Sequence, residues 1–405
     1  MLKKINTSDV RIGMYIHEVG GGWLDNPFWR RRFRLITPKQ LKTLQESGVP
    51  DVWIDTGKGR DVDTDTPIVT EEEENQQVEE VLHEAVDFAP KELTPSVALH
   101  EEVDRARKTH NKAKATVMYM FQDMRMGKAL QAKETFALVD DIIQTLTRNS
   151  NAFLSLSRLK EKDSYTYLHS VAVCALMVAV GRQFGIEGEE LRNLGVAGLL
   201  HDAGMVRIPD RIVNKSRSLT SEEFAVIKAH PKLGWKILSD APEMNEIVLD
   251  VCLHHHERMD GAGYPDQSPG ENLSLYTKIC TICDVYDTIT SDRYYKKGYA
   301  PVDAIRKMAA WQPGHFDLQV FHAFVKTVGI YPSGTLVKLA SGRLAVVTDQ
   351  ATKSLLTPIV KIFFSTKLNA PIFPELLDLS KAQDFIASVE SPQKWGLNLK
   401  MITGI

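Results

Sequence analysis

From residue 150 to about 332 the sequence runs as one apolar helical stretch after another, and at five places an inward-facing position is taken by histidine or aspartate. His169 is followed at helical spacing by Val173, Leu176 and Val180, which sets its ring on the same buried face. His201-Asp202 ends the apolar run from Leu191 to Leu200, and Gly204 just beyond reads as a helix stop, so both side chains stand at a helix end facing a cleft. His230 lines up with Val226, Ile227 and Leu233 on a helix opened by the capping box of Thr220 and Glu223, with Pro231 bending the chain. His255 shares the face of Val248 and Val251, with His256 beside it and the turn-rich segment Asp260-Gly261-Ala262-Gly263-Tyr264-Pro265 after it. Asp284 follows Cys280 by four residues on a further helical stretch. Each position alone is explained as a core residue with its own hydrogen-bond partner. Together they would need many separate partners, whereas a metal pair satisfies them at once, and neutral imidazoles with carboxylates are what such a site requires.

The flanks read differently. Residues 1–60 mix short β-like stretches, Gly13 to Val19 and Asp51 to Ile54, with one helix opened by Thr37-Pro38, which is the pattern of a small α+β domain. Residues 61–95 turn acidic, with Glu71-Glu72-Glu73-Glu74, and read as a solvated linker. Residues 96–149 have the composition of connecting helices and are candidates for homodimer contacts, and 150–332 is the catalytic candidate. In 333–405, two strand-like runs flank Ala340-Ser341-Gly342-Arg343, a hairpin signal, and Pro358 to Phe364 adds another strand, so a small β-rich extension closes the chain.

A formal net charge of −3 over 405 residues argues against a chain whose business is coating DNA or RNA. The N-terminus MLKKINTSDV lacks the apolar core of a signal peptide, and the apolar run Val171 to Val180 is too short to span a bilayer, so a cytoplasmic protein without membrane insertion is expected. Cys174, Cys252, Cys280 and Cys283 all lie in apolar helical segments and are expected as free, buried thiols.

His201-Asp202 and the run His255-His256-Glu257-Arg258-Met259-Asp260-Gly261-Ala262-Gly263-Tyr264-Pro265 resemble the two motifs that name the HD-GYP family. Ser164-Tyr165-Thr166, Ile208-Pro209-Asp210, Asp284-Val285-Tyr286-Asp287 and Thr290-Ser291-Asp292-Arg293 follow the family's order, and residues 1–60 resemble a domain of unknown function often found upstream. The resemblance implies a mainly α protein whose all-helical HD-superfamily catalytic domain hydrolyses cyclic di-GMP to pGpG, and often on to GMP, through a metal-bridging hydroxide. It further implies His169, His201, Asp202, His230, His255, His256 and Asp284 as ligands of iron or manganese, with Asp202 as the bridge and His201-Asp202 at the catalytic centre. Arg293 and Lys296 correspond to the family's phosphate-holding cations, and Gly263, Tyr264 and Pro265 form a loop beside the ligands.

Two departures matter. Family members with three metals carry Glu where this chain has Tyr165, so two divalent ions per chain are expected. The family's Lys three residues after the HD Asp is Met205 here, which removes a phosphate contact that Arg207 compensates only if it reaches the cleft. Two other readings follow: a cyclic di-GMP receptor that signals through partners such as GGDEF-type diguanylate cyclases, and a phosphohydrolase of another nucleotide. The Gly-Tyr-Pro loop speaks against the latter.

Overall fold

The N-terminal strands alternate buried and exposed side chains, and in the computed structural model this alternation closes one face of a small sheet over its own core. Strands β1 (Leu2–Asn6), β2 (Tyr15–Val19), β3 (Phe33–Arg34), β4 (Asp51–Asp55) and β5 (Val69–Thr70) pair antiparallel in the order β3-β2-β4-β1-β5. Ile5, Ile16, Val52 and Ile54 point inward against Leu44 of helix α1 (Pro38–Gln45), whose N-cap Thr37 forms a capping box with Gln40. The structure describes all residues except 21–31, 48, 64–65, 89–95, 98, 159–164, 216–218, 293–297, 352–353 and 398–405.

The acidic stretch departs from the expected linker. Glu71–Asp87 forms helix α2, because Thr70 caps it reciprocally with Glu73 and the four glutamates occupy the first turn, where the helix dipole favours negative charge. Its apolar face, with Val78, Leu82 and Ala85, is buried in the main core, and Glu79 pairs with Arg306 at 2.6 Å. Low apolar content disguised a helix that needs only one narrow stripe to dock.

Helices α3 (Leu99–Arg125) and α4 (Ala132–Ser157) pack on each other and on the core that follows. The boundary expected at 149/150 falls inside α4, at Asn149, where the backbone leaves helical geometry (φ −159°, ψ 103°). Then come α5 (Tyr165–Gln183), α6 (Gly188–Leu200), α7 (Asp210–Val213), α8 (Ser221–Ile227), α9 (His230–Ser239), α10 (Glu246–His254), α11 (Leu275–Thr290), α12 (Pro301–His315) and α13 (Leu318–Val328). α5 is the central element: among the described residues it is the one helix long and apolar enough to cross a membrane, and 78% of its most apolar window is buried inside the protein. The four cysteines are free and buried in this core.

The helix expected to run from Thr220 through His230 is two helices. The Thr220–Glu223 capping box opens α8 as the sequence indicates, but the chain breaks at Lys228-Ala229 and α9 begins at His230. Pro231 has no N–H to donate to the preceding turn, so it fits only the first positions of a new helix.

The chain closes with β6 (Leu336–Leu339), β7 (Arg343–Ala351), β8 (Ser354–Ser365), β9 (Ala370–Asp378) and β10 (Ile386–Val389), an antiparallel sheet in the order β10-β6-β7-β8-β9. The hairpin read from the sequence is the β6–β7 pair.

Candidate metal centre

All seven candidate ligands meet, delivered by the ends and inner faces of five helices. His169 lies in the second turn of α5 and Asp284 in the middle of α11, both buried. His201 caps the C-terminus of α6 with Asp202 next to it, His230 is the first residue of α9, and His255 caps α10 with His256 following. Gly204 lets these ends converge. A Cβ there would stand 1.9 Å from the His230 carbonyl oxygen and 2.5 Å from the Gly234 nitrogen, so α9 lies directly on the turn that carries Asp202. The sequence marks Gly204 as a stop, but its role is close approach.

The ring nitrogens are fixed by what their neighbours can accept. His201 Nδ1 lies 2.8 Å from the Gly198 carbonyl, His230 Nδ1 2.8 Å from that of Ile227, and His255 Nδ1 3.0 Å from that of Cys252. A carbonyl only accepts, so in each ring Nδ1 carries the hydrogen and donates it, which leaves Nε2 as a bare lone pair when the ring is neutral. With both rings neutral, His230 Nε2 and His255 Nε2 face each other at 3.1 Å with no proton to share, and the buried His201 Nε2 has no hydrogen-bond partner among the described residues. Such facing lone pairs repel unless a cation joins them, so the donors fit divalent metal ions, and the carbonyl contacts are the outer support that metal-bound imidazoles require.

The donors fall into two groups, Asp202 with His230, His255 and His256, and His169 with His201 and Asp284, each with its ligand atoms within 4.8 Å of one another. Asp202 faces both. Its Oδ1 lies 3.2 Å from His230 Nε2, while its Oδ2 lies 3.6 Å from His201 Nε2 and 3.8 Å from His169 Nε2. Burial pushes the Asp202 carboxyl up, but the imidazoles of His201, His230 and His169 outweigh it and hold it well below the usual carboxylate range. Asp284 is likewise held down against burial, by His169 first and then His256 and His201. Burial and neighbouring rings press His255 well below an ordinary imidazole and His256 down to about 3, so both are neutral, ligand-ready donors. His169 is the exception: burial lowers it, but Tyr165, Asp284 and Asp287 together hold it well above the ordinary value.

Residues 141–320 match the HD domain, and residues 2–135 match a domain of unknown function, DUF3391. Over 410 aligned residues the chain is 47% identical to the cyclic di-GMP phosphodiesterase PA4108 of Pseudomonas aeruginosa, covering all of this chain and 96% of that one. The chain belongs to the HD-GYP family. A second relative, the cyclic di-GMP phosphodiesterase response regulator RpfG of Xanthomonas campestris, is 34% identical over 179 residues, 42% of this chain and 47% of that one. An HDGYP protein of solved structure from Bdellovibrio bacteriovorus aligns at 18% identity and TM-score 0.47, over 80% of this chain and 99% of that one.

The HD-GYP loop is built against the ligands. A Cβ on Gly263 would fall 2.5 Å from Glu257 Cα and 2.6 Å from the His256 carbonyl oxygen, and Tyr264 N–H donates to that same carbonyl at 3.2 Å. The Tyr264 ring stacks on the His256 imidazole, centroids 4.7 Å apart, and the Tyr264–Pro265 peptide is cis. The carboxylate of Glu257, fully buried, accepts the backbone N–H groups of Asp266 at 2.7 Å and Ser268 at 3.2 Å, tying the loop back to the segment that carries His256.

Three residues named in the sequence motifs have supporting roles that the sequence did not reveal. Asp287 accepts from His169 Nδ1 at 2.6 Å, Tyr165 stacks on the His169 ring at 5.6 Å with the planes 11° apart, and Glu257 clamps the loop. The signal for Asp287 was its place one helical turn after Asp284 on the same face. Met205 is half-buried, and Arg207 is exposed with no hydrogen bond or ion pair to the seven clustered residues. Arg293 and Lys296 lie outside the described residues.

Proposed function

We propose that this chain is a metal-dependent phosphodiesterase that hydrolyses cyclic di-GMP to pGpG, with two divalent ions, iron or manganese, as its cofactor. The observation that carries the reading is the convergence of the His201, His230 and His255 Nε2 lone pairs on the two-faced carboxylate of Asp202. Full-length identity to a cyclic di-GMP phosphodiesterase supports the substrate. His169, His201 and Asp284 would hold one ion and His230, His255 and His256 the other, with Asp202, which faces both groups, as their shared carboxylate. Two divalent cations held there would supply charge neutralisation at a phosphoryl group and lower the pKa of water.

The chain's own residues do the rest. The helix-end carbonyls and Asp287 aim the imidazoles, the carboxylates of Asp202 and Asp284 stay ionised, and the Gly263-Tyr264-Pro265 loop walls the site beside His256. Arg293, Lys296 and Arg207 stay candidates for holding substrate phosphates. In the cell, the reading places the protein in the cytoplasm.

The test is to purify the protein anaerobically, measure iron and manganese per chain, and follow cyclic di-GMP by chromatography. Hydrolysis is expected, with both metal retention and turnover lost in His201→Ala and Asp202→Ala. Nucleotide binding without hydrolysis in a metal-loaded sample would instead identify a receptor acting through a partner such as a GGDEF-type diguanylate cyclase. Met205 favours that second reading, because it removes a cation beside Asp202.

A further inference from the structure

The site lacks a lysine where Met205 stands, yet a different lysine sits one layer out from the donor cluster. Lys228 lies in the break between α8 and α9, two residues before His230. Its Nζ stands 4.8 Å from the centre of the Phe224 ring and 5.1 Å from that of Tyr264. The Tyr264 ring in turn stacks on His256 at 4.7 Å. The ammonium is thus no farther from the His256 imidazole than those two steps laid end to end. Lys228 is half-buried, and among the described residues no carboxylate pairs with it. By contrast Lys232 pairs with Asp266 at 3.0 Å, and Lys215 with Glu223.

A cation positioned by two ring faces, with its hydrogens left over, is held in place without being neutralised. Aromatic faces attract an ammonium less strongly than a phosphate oxygen does, so an arriving phosphodiester gains a charge-assisted hydrogen bond there. A cyclic dinucleotide carries two phosphodiesters. With one at the clustered donors, the other lies a ring's breadth away, and Lys228 stands beside the loop that flanks those donors.

We infer that Lys228, held between Phe224 and Tyr264, binds the phosphate of the cyclic dinucleotide that is not being hydrolysed. The inference rests on the phosphodiesterase reading and adds a substrate-binding residue to it. It also gives the Gly-Tyr-Pro loop a defined role, in which Tyr264 couples the phosphate cation to the ring of His256.

The experiment compares wild type, Lys228→Met, Lys228→Gln and Lys228→Arg on cyclic di-GMP and on bis(p-nitrophenyl) phosphate, a diester with one phosphate. Metal content and thermal midpoint are measured for each, to show that fold and cluster are intact. Expected for Met and Gln is a KM for cyclic di-GMP raised about tenfold, with kcat within about twofold, recovery of most of the loss in Arg, and unchanged kcat/KM on the one-phosphate diester. An unchanged KM for cyclic di-GMP in both Met and Gln, or equal losses on the two diesters, overturns the inference. Failure of the wild type to hydrolyse cyclic di-GMP is a failure of the functional reading instead. If the wild type binds it without turnover, dissociation constants replace KM in the same comparison and decide Lys228 by the same criterion.

Discussion

The two halves of the donor cluster are supported by different means. His169 and Asp284 stand within α5 and α11, where side chains of α11 hold them: Asp287 accepts from His169 Nδ1, and the Thr288 hydroxyl donates to Asp284 at 3.2 Å. His230, His255 and His256 belong to helix ends, and their support is main-chain carbonyls, the close contact at Gly204 and the stack on Tyr264. The inner half takes most of its geometry from two packed helices, with His201 its one helix-end donor, aimed by the Gly198 carbonyl. The outer half has its geometry only while α9 and the loop are seated, so substitutions away from the ligands should separate the halves, and only Asp202 should unite them.

Asp202→Asn is therefore the largest expected effect. Replacing the carboxylate that faces both groups should release metal from both and lower kcat/KM on the order of a thousandfold or more, read by metal analysis and chromatography of the product. Retention of one full equivalent of metal would show that the halves are independent. Gly204→Ala should come next. Its Cβ has no room against the His230 carbonyl at 1.9 Å, so α9 must shift, destabilising the fold by about 1–3 kcal/mol and loosening the outer group first. A lowered Tm with metal content falling toward half is the expected pattern, and an unchanged Tm would remove Gly204 from the account.

What was legible before the structure follows the same division. Periodicity placed His169 and Asp284 on buried helical faces, because a helix carries its own geometry in its spacing. The convergence of the other donors depends on how helix ends meet, and no spacing encodes that: the break before His230 and the contact at Gly204 are tertiary facts. The helix at Glu71–Asp87 was hidden for a related reason, since its docking stripe is three small-to-medium side chains in an acidic background. Asp287 and Glu257 stood inside quoted motifs, but their work is to aim other residues, which appears only once partners are in space.

Asp287→Ala and Glu257→Gln form a matched pair of smaller effects. Loss of the acceptor behind His169 should weaken inner-group metal affinity about 10–100-fold and leave the outer group loaded. Glu257→Gln keeps the shape but loses the charge on the two N–H bonds that tie down the loop, so metal content should hold while KM rises by roughly a few-fold. A loss of metal in Glu257→Gln would show that the loop supports the cluster itself rather than the substrate beside it.

The smallest effect is a proton count, and it tests the comparison without changing a residue. In the metal-free protein burial lowers His169, but Tyr165, Asp284 and Asp287 hold it well above the ordinary imidazole value, its Nε2 lying 3.1 Å from Asp284 Oδ1. A raised folded pKa means that this proton stabilises the metal-free fold fully below the unfolded value of about 6.5, and that the contribution is lost only as pH rises through the folded value. His255 and His256 have the opposite sign: their lowered values favour the fold above about 6.5, an advantage lost as pH falls through the folded values. Near pH 7 the inner group therefore holds a proton that an incoming cation must displace, and His255 and His256 hold none. Titrating manganese into metal-free protein in two buffers of different ionisation enthalpy should show the His169 proton released with the inner cation and none from His255 or His256 with the outer. The release should fall in Asp287→Ala, where Asp284 still faces the ring, and equal release from both sites would mean that the halves differ in support but not in charge.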